Sequence, residues 1–394
     1  MNIPLLDLQP QLDRLRDEIV DAVTGVIDSK QYILGPRVTE FEEAVAEYCG
    51  TTRAVGVSSG TDALLITLMG LGVGPGDLVA TTPYTFFATM GSIMRTGARP
   101  LFVDIDPHTY NISADHLDEL LAGDDEARRR LKAIMPVHLF GQCAAMERIT
   151  STADRYGVPI IEDAAQAIGA EFPWSQKNGG ILWKKAGSMG LAGCFSFFPS
   201  KNLGGIGDGG MVVTSDEAFA DRLVSLRNHG SSPKYYHPLI GGNFRLAPIQ
   251  AAVLHLKLPH LENWHRKRRQ NSKNYRRLFR DKGLTPHAVS LPKAEYRGMD
   301  SRERHNYHIY NQFIIRVGRR DRLRAFLQEK SIGCEIYYPL CLHQQECLRE
   351  FGYDRLRLPE AEKAAGETLA LPIYPGLTLE MQEYVVETIA EFYQ

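Results

Sequence analysis

Lys201 lies between an aromatic segment, Cys194-Phe-Ser-Phe-Phe-Pro-Ser200, and a glycine-rich stretch, Asn202-Leu-Gly-Gly-Ile-Gly-Asp-Gly-Gly210. Desolvation there would lower the pKa of the amine and free it as a nucleophile, whereas a lysine on an open surface is no more than a solvated charge. Asp163 stands 38 positions earlier, at the end of the apolar run Val158-Pro-Ile-Ile-Glu-Asp. A carboxylate on a buried strand end must find a cation or hydrogen-bond donors, because an unpaired buried charge is very costly. A protonated pyridine nitrogen would satisfy it, and so would donors from a loop. A third group is Ser58-Ser-Gly-Thr61, which follows an apolar run and opens a helical pattern. Glycine lets the backbone come close, and the free N–H groups and dipole at a helix start attract a phosphate. The same residues also make an ordinary helix N-cap.

Taken together, an amine, a carboxylate and a phosphate cradle are the three needs of pyridoxal 5'-phosphate: a Schiff-base partner, a partner for the ring nitrogen and donors for the phosphate. Gly205-x-Gly207-x-x-Gly210 matches the dinucleotide fingerprint in its letters only. That motif must follow a strand and open a helix, and here the strand-like Gly210-Met-Val-Val-Thr-Ser215 follows instead, which argues against an NAD-dependent sugar oxidoreductase. The twelve histidines form no cluster of ligand type and no metal is called for; His138 reads as a sheet-end residue near the site.

The elements that must position these groups follow from the apolar rhythm. Leu12, Leu15, Ile19, Val23 and Val26 mark an N-terminal amphipathic helix, and a second helix is expected to open with a capping box at Thr39-x-x-Glu42 and stop near Gly50. Short runs then alternate with helical segments: 53–57, 78–82, 100–105, 133–139 and 158–163, with two further strands at 193–198 and 210–215. This is the pattern of a parallel sheet in an α/β domain, whose ligands bind beyond the carboxyl ends of the strands. Residues 173–192 read as an irregular Gly/Lys-rich connection. After residue 250 the rhythm changes to a long helical stretch from Ala247 to about Arg280, strand-like 308–317, a helix from Asp321, strand-like 334–339 and a final helix from Leu379. The expected division is a cofactor domain over 1–250 and a smaller α+β domain over 251–394.

The chain has 394 residues, 45 Lys/Arg against 47 Asp/Glu and six scattered cysteines without C-x-x-C spacing. Near-neutral charge gives no global field for nucleic acid or an anionic membrane. No apolar run reaches the roughly 18 residues of a spanning helix and no secretory leader is visible, so a soluble, reduced, cytoplasmic protein is expected. Residues 266–280 carry eight basic and no acidic residues, which reads as a solvated helix face or an attractor of diphosphate rather than a nucleic-acid surface.

Seven ordered motifs carry a resemblance across nearly the whole chain: Ser59-Gly-Thr-Asp-Ala-Leu64, Pro83-Tyr-Thr-Phe-Phe-Ala-Thr89, Glu162-Asp-Ala-Ala-Gln166, Phe195-Ser-Phe-Phe-Pro-Ser-Lys-Asn-Leu-Gly204, Gly242-Asn-Phe-Arg-Leu246, His308-x-Tyr310, and Tyr337-Tyr-Pro339 with His343. The sequence resembles the DegT/DnrJ/EryC1/StrS family of pyridoxal-phosphate sugar aminotransferases. The resemblance implies aminotransferase fold type I, with a large, mostly parallel seven-stranded sheet domain and a smaller C-terminal α+β domain. It implies that Lys201 holds the cofactor and shuttles the proton, Asp163 pairs with the ring nitrogen, Phe86 stacks on the ring, and Gln166 sits near the phenolic oxygen. Gly60, Thr61 and Ser196 would bind the phosphate. Asn243 would come from the neighbouring subunit, which makes a homodimer with shared active sites. Arg245, His308 and Tyr310 would contact substrate. Related dehydratases carry histidine in place of the lysine, so Lys201 points to transamination, and the presence of both Lys201 and Asp163 argues against a non-catalytic regulatory protein on the same fold. The implied substrates are L-glutamate and a nucleotide-linked ketosugar. Gly241-Gly-Asn-Phe-Arg-Leu246 and Lys234-Tyr-Tyr-His237 look most like members acting on 3-keto UDP-sugars for lipopolysaccharide or surface-glycan amino sugars, with a 4-keto sugar as the rival. Two departures from the family pattern are Leu191, where relatives often carry Asp, and a longer loop over 173–190.

Overall fold

The computed structural model describes residues 1–300 and 304–394. Helix α1 (Gln9–Ser29) buries Leu15, Ile19 and Val26, the stripe expected from the sequence. Helix α2 (Pro36–Cys49) starts earlier than the capping-box reading allows. Proline occupies the first turn, where its missing N–H costs nothing, so Thr39 is already helical and its hydroxyl returns to the Gly35 carbonyl. Glu42 is thereby released from capping. It accepts from the Gly56 N–H at 2.7 Å and pairs with the buried Arg227.

Six strands of the main sheet appear where periodicity placed them: β1 (Arg53–Val57), β2 (Leu78–Thr81), β3 (Arg99–Phe102), β4 (Leu131–Ile134), β5 (Ile161–Asp163) and, further along the chain, β8 (Ala192–Ser196). Between β5 and β8, the segment expected to be irregular forms an antiparallel hairpin, β6 (Glu171–Ser175) and β7 (Ile181–Lys185). Its turn contains Asn178-Gly179, with Gly179 at φ +81°, and its aromatic residues dock: Trp183 stacks on His305 at 4.4 Å. Asn-Gly between apolar runs is a strong hairpin signal.

The seventh strand, β9 (Gly210–Thr214), lies antiparallel between β8 and β1. With β4 joined to β5 by bridges Ile134–Ile160 and Val137–Asp163, the order across the sheet is β3-β2-β4-β5-β8-β9-β1, parallel except for β9. Four crossover helices flank it: α3 (Gly60–Gly70), α4 (Phe87–Arg95), α5 (Ala114–Gly123) followed by the short α6 (Asp125–Arg130), and α7 (Met146–Tyr156). Helix α8 (Glu217–Arg227) follows β9.

The helical stretch expected from Ala247 is two helices, α9 (Pro248–Lys257) and α10 (Leu261–Asp281), with a tight turn at Leu258-Pro-His260 where proline removes a donor. Ala251, Leu254, Leu258, Leu261 and Trp264 stay in the core of the large sheet, so that core extends beyond residue 250. Tyr275 and Phe279, later on the same α10, enter a second core built with the strands β10 (Val289–Ser290), β11 (Phe313–Val317) and β12 (Thr368–Leu371) and the helices α11 (Arg320–Glu329) and α13 (Leu379–Tyr393). Helix α12 (Pro359–Glu367) leads into β12. Ile3 belongs to this second core and pairs with Ile332, so the first residues of the chain sit with its last third. Residues 334–339 form no strand beyond one bridge, Glu335–Ala370. The basic run in α10 is not a solvated face throughout: Arg268 is buried and donates to the carbonyls of Tyr310 and Ile373 at 3.0 and 2.7 Å.

Close backbone packing holds the edge of the site. A Cβ on Gly193 in β8 would fall inside the backbone of Gly187. Gly193→Ala should therefore destabilise the protein by roughly 1–3 kcal/mol or more, read as a lower urea midpoint at unchanged slope; an unchanged midpoint would show that residues 186–190 can move aside.

Candidate active site

Each candidate group is delivered by the carboxyl edge of the sheet. Ser59 ends the loop after β1 and caps α3, its hydroxyl accepting the Asp62 N–H at 3.0 Å. The Asp62 carboxylate takes the hydroxyls of Ser58 and Ser59 at 2.6 and 3.0 Å. The N–H groups of Gly60 and Thr61, in the first turn, have no helical acceptor. Ser196 ends β8 directly against them: a Cβ on Gly60 would lie 2.6 Å from the Ser196 Cβ. Glycine is thus required where the turn, the strand end and an anion would meet.

Asp163 closes β5 and is buried. Its Oδ2 accepts from Thr89 at 2.7 Å and its Oδ1 from the Ala165 N–H at 3.2 Å. Burial raises its pKa, opposed by those two donors and by the charge of Lys201. Phe86 caps α4 and stands 57% exposed, while Thr89 one turn later points inward to Asp163. One helix start therefore supplies both a free aromatic face and the support of the carboxylate. Burial depresses the Lys201 amine to about 8, and Asp163 works in the opposite sense. Its neighbour Asn202 is fixed to the segment that precedes β11 by bonds with the Ile309 carbonyl (3.2 Å) and Asn311 (2.8 Å).

Behind Asp163 lies a polar hub. The fully buried Glu162 accepts the N–H groups of Gly187, Met189 and Gly190, each at 2.7 Å, and bonds His138 Nε2 at 2.8 Å. His138 Nδ1 accepts from the Ala144 N–H, which assigns the ring proton to Nε2. Gln166 accepts the Phe140 N–H at 2.7 Å and donates to the Tyr338 hydroxyl at 3.1 Å.

Gly60, Thr61, Ser196, Phe86, Asp163, Gln166 and Lys201 therefore share one strand-end region. Asn243 and Arg245 lie on a segment beside β1, where Arg245 donates to Asn228 at 3.0 Å and Asn243 is exposed. His308 and Tyr310 are not brought to an open surface. They are buried, stacked on each other at 3.8 Å, and His308 is held to about 3 by burial. Thr89, His138, Glu162 and Tyr338 were not assigned contacts from the sequence. The i,i+3 spacing of Phe86 and Thr89 is a usable signal for Thr89, whereas the Glu162 and Tyr338 contacts join segments too distant in the chain to read.

The residues fit a pyridine-ring cofactor with a phosphate: a cradle that a Cβ would fill, a buried carboxylate that forms no ion pair among the described residues, and a desolvated lysine. The seven-stranded sheet with this lysine–aspartate pair defines a pyridoxal-phosphate-dependent aminotransferase of fold type I. A sequence model of the DegT/DnrJ/EryC1/StrS aminotransferase family matches residues 13–390, and the chain belongs to that family. It is 46% identical over 394 residues to a "Pleiotropic regulatory protein" of Geobacillus stearothermophilus, covering 100% of this chain and 99% of the relative. It is 39% identical over 379 residues to a UDP-N-acetyl-3-dehydro-alpha-D-glucosamine 3-aminotransferase of Acidithiobacillus ferrooxidans, covering 96% and 94%. The crystal structure of DesV from S. venezuelae with a ketimine intermediate superposes with a TM-score of 0.88 at 36% identity, covering 100% of this chain and 99% of that one.

In the cofactor-free protein, the rate at which Lys201 captures the cofactor aldehyde should rise with pH through about 8. Asp163→Asn removes the charge that props up the amine and should move that midpoint lower. Stopped-flow absorbance measures both, and a wild-type midpoint near 10.5, the ordinary lysine value, would refute the buried amine.

Proposed function

We propose that the protein transfers an amino group from L-glutamate to a nucleotide-linked ketosugar, with a 3-keto UDP-sugar as the acceptor. The observation that carries the transfer chemistry is the desolvated Lys201 amine in electrostatic reach of Asp163. Bound pyridoxal phosphate supplies the electron sink that lets a proton leave the carbon bearing nitrogen. In this reading Lys201 anchors the cofactor and then moves that proton, and its neutral fraction near pH 8 suits both tasks. Asp163, held by Thr89 and Ala165, faces the ring nitrogen and keeps it protonated. Phe86 covers one face of the ring, Gln166 lies beside the phenolic oxygen, and Gly60, Thr61 and Ser196 hold the phosphate.

The preference for a 3-keto UDP-sugar is supported by the relative that acts on UDP-N-acetyl-3-dehydro-glucosamine; a 4-keto sugar is the alternative. The product would feed lipopolysaccharide or surface-glycan synthesis in the cytoplasm. Homodimerisation is supported by the segment that carries Asn243: Tyr235 and Ile240, just before it, are 79% and 93% exposed, large apolar groups that a second copy would cover. In that arrangement Asn243 completes the partner's phosphate site.

A non-catalytic regulator on the same fold is the second reading, favoured by the name of the 46% identical relative. Lys201 and Asp163, both present and coupled, favour catalysis. Glutamate should generate amino sugar from at least one member of a panel of UDP- and dTDP-linked 3- and 4-ketosugars, detected by mass spectrometry, and Lys201→Ala should abolish it. No transfer to any acceptor by a cofactor-loaded protein would leave the regulatory reading standing. Lys201→Ala and Asn243→Ala proteins, each inactive, should regain about a quarter of wild-type activity when mixed, because half the dimers then carry one intact site. No recovery after subunit exchange would overturn the shared site.

A further inference from the structure

The hydrogen-bond pattern around Gln166 has a direction. Its Oε1 accepts the Phe140 N–H at 2.7 Å, so the amide cannot flip without setting its NH2 against another donor. Nε2 is therefore held on the opposite side, one hydrogen committed to the Tyr338 hydroxyl at 3.1 Å and the other without an acceptor among the described residues. Tyr338 is itself framed by the Pro83–Thr89 motif. Its ring meets Tyr84 and Phe86 at 6.2 and 6.3 Å. The Tyr84 hydroxyl donates to the Tyr337 carbonyl at 2.5 Å, and the Leu342 N–H reaches the Pro83 carbonyl at 2.8 Å. Burial pushes the Tyr338 phenol up, so it stays protonated throughout the neutral range and takes the amide hydrogen on a lone pair.

We propose that Tyr338 is a positioning residue that aims the second Gln166 amide hydrogen at the cofactor's phenolic oxygen and so sets the acidity of the lysine-bound chromophore. The proposal rests on the assignment of Gln166 to that oxygen. It ties the last third of the chain to the electronic state of a ring held by the first half. A hydrogen donated to the phenolic oxygen stabilises its negative charge and favours loss of the proton shared with the Lys201 nitrogen. Loosening the amide should therefore make that proton harder to remove.

The experiment is a spectrophotometric pH titration of the purified holoenzyme, read on the visible band of the bound cofactor without turnover. Tyr338→Phe keeps the ring contacts with Tyr84 and Phe86 and removes only the hydroxyl. Its midpoint should rise by about half to one pH unit, the size of one neutral hydrogen bond. Gln166→Leu should raise it at least as far, and the double variant should shift no further than Gln166→Leu alone. A Tyr338→Phe midpoint within about 0.2 pH units of wild type, below one weak hydrogen bond, overturns the proposal, as do additive shifts in the double variant. If Gln166→Leu also leaves the midpoint unmoved, the placement of Gln166 at the phenolic oxygen is wrong as well. If Gln166→Leu moves it and Tyr338→Phe does not, only the role of Tyr338 falls.

Discussion

The site depends on one buried carboxylate that does no chemistry. Glu162 has no solvent exposure, and an ion there costs several kcal/mol unless its lone pairs are filled. It meets three backbone N–H groups and an imidazole N–H, charge-assisted bonds that together offset that cost. Those donors come from two separate stretches, residues 187–190 and the loop that starts at His138. The carboxylate therefore ties the hairpin's exit, the end of β4 and the end of β5 to one point. Asp163 is the next residue, and its own backbone is clamped by the second of these stretches: its N–H donates to the Pro136 carbonyl and its carbonyl accepts from the His138 N–H. The functional carboxylate points reliably because its neighbour in the chain cannot move.

Much of this was legible in the sequence because it is local. The strand ends at Ser58, Asp163 and Ser196, and the desolvated Lys201, follow from apolar runs interrupted by polar residues, and the parallel sheet follows from their alternation with helices. The hairpin over 171–185 reads as irregular in the sequence although Asn178-Gly179 marks its turn, because the glycines and lysines around that turn obscure the apolar alternation. Within residues 266–280 the solvated-face expectation fails at Arg268 and Arg269, for the opposite reason. Charge composition is local, but whether an arginine meets water or three carbonyls is decided by residues 310, 311 and 373, far off in the chain. The same distance hid Glu162's donors and the Tyr338–Gln166 bond.

The exit from burial also differs among the buried cations. Lys257 donates to the Gly204 carbonyl and its amine falls to about 8, close to that of Lys201. The two lysines thus flank the same glycine-rich turn, one fixing its backbone and the other carrying the reactive nitrogen. Gln250 adds a bond to the Ile206 N–H at 2.9 Å. The glycines between them act as a closely packed bend rather than a loose loop.

Helix α10 has a mechanical consequence. It leaves the first core at Trp264, enters the second at Tyr275, and between them Arg268 and Asn271 grip the carbonyls of residues 310, 373 and 374. A continuous rod riveted at both ends and in the middle transmits torque but does not bend. The chain is therefore poorly suited to admit a bulky substrate by opening like a jaw about a hinge between its cores. The two cores instead hold a fixed register, so the groups at the carboxyl edge of the large sheet and the backbone around residues 310 and 373 keep their relative positions.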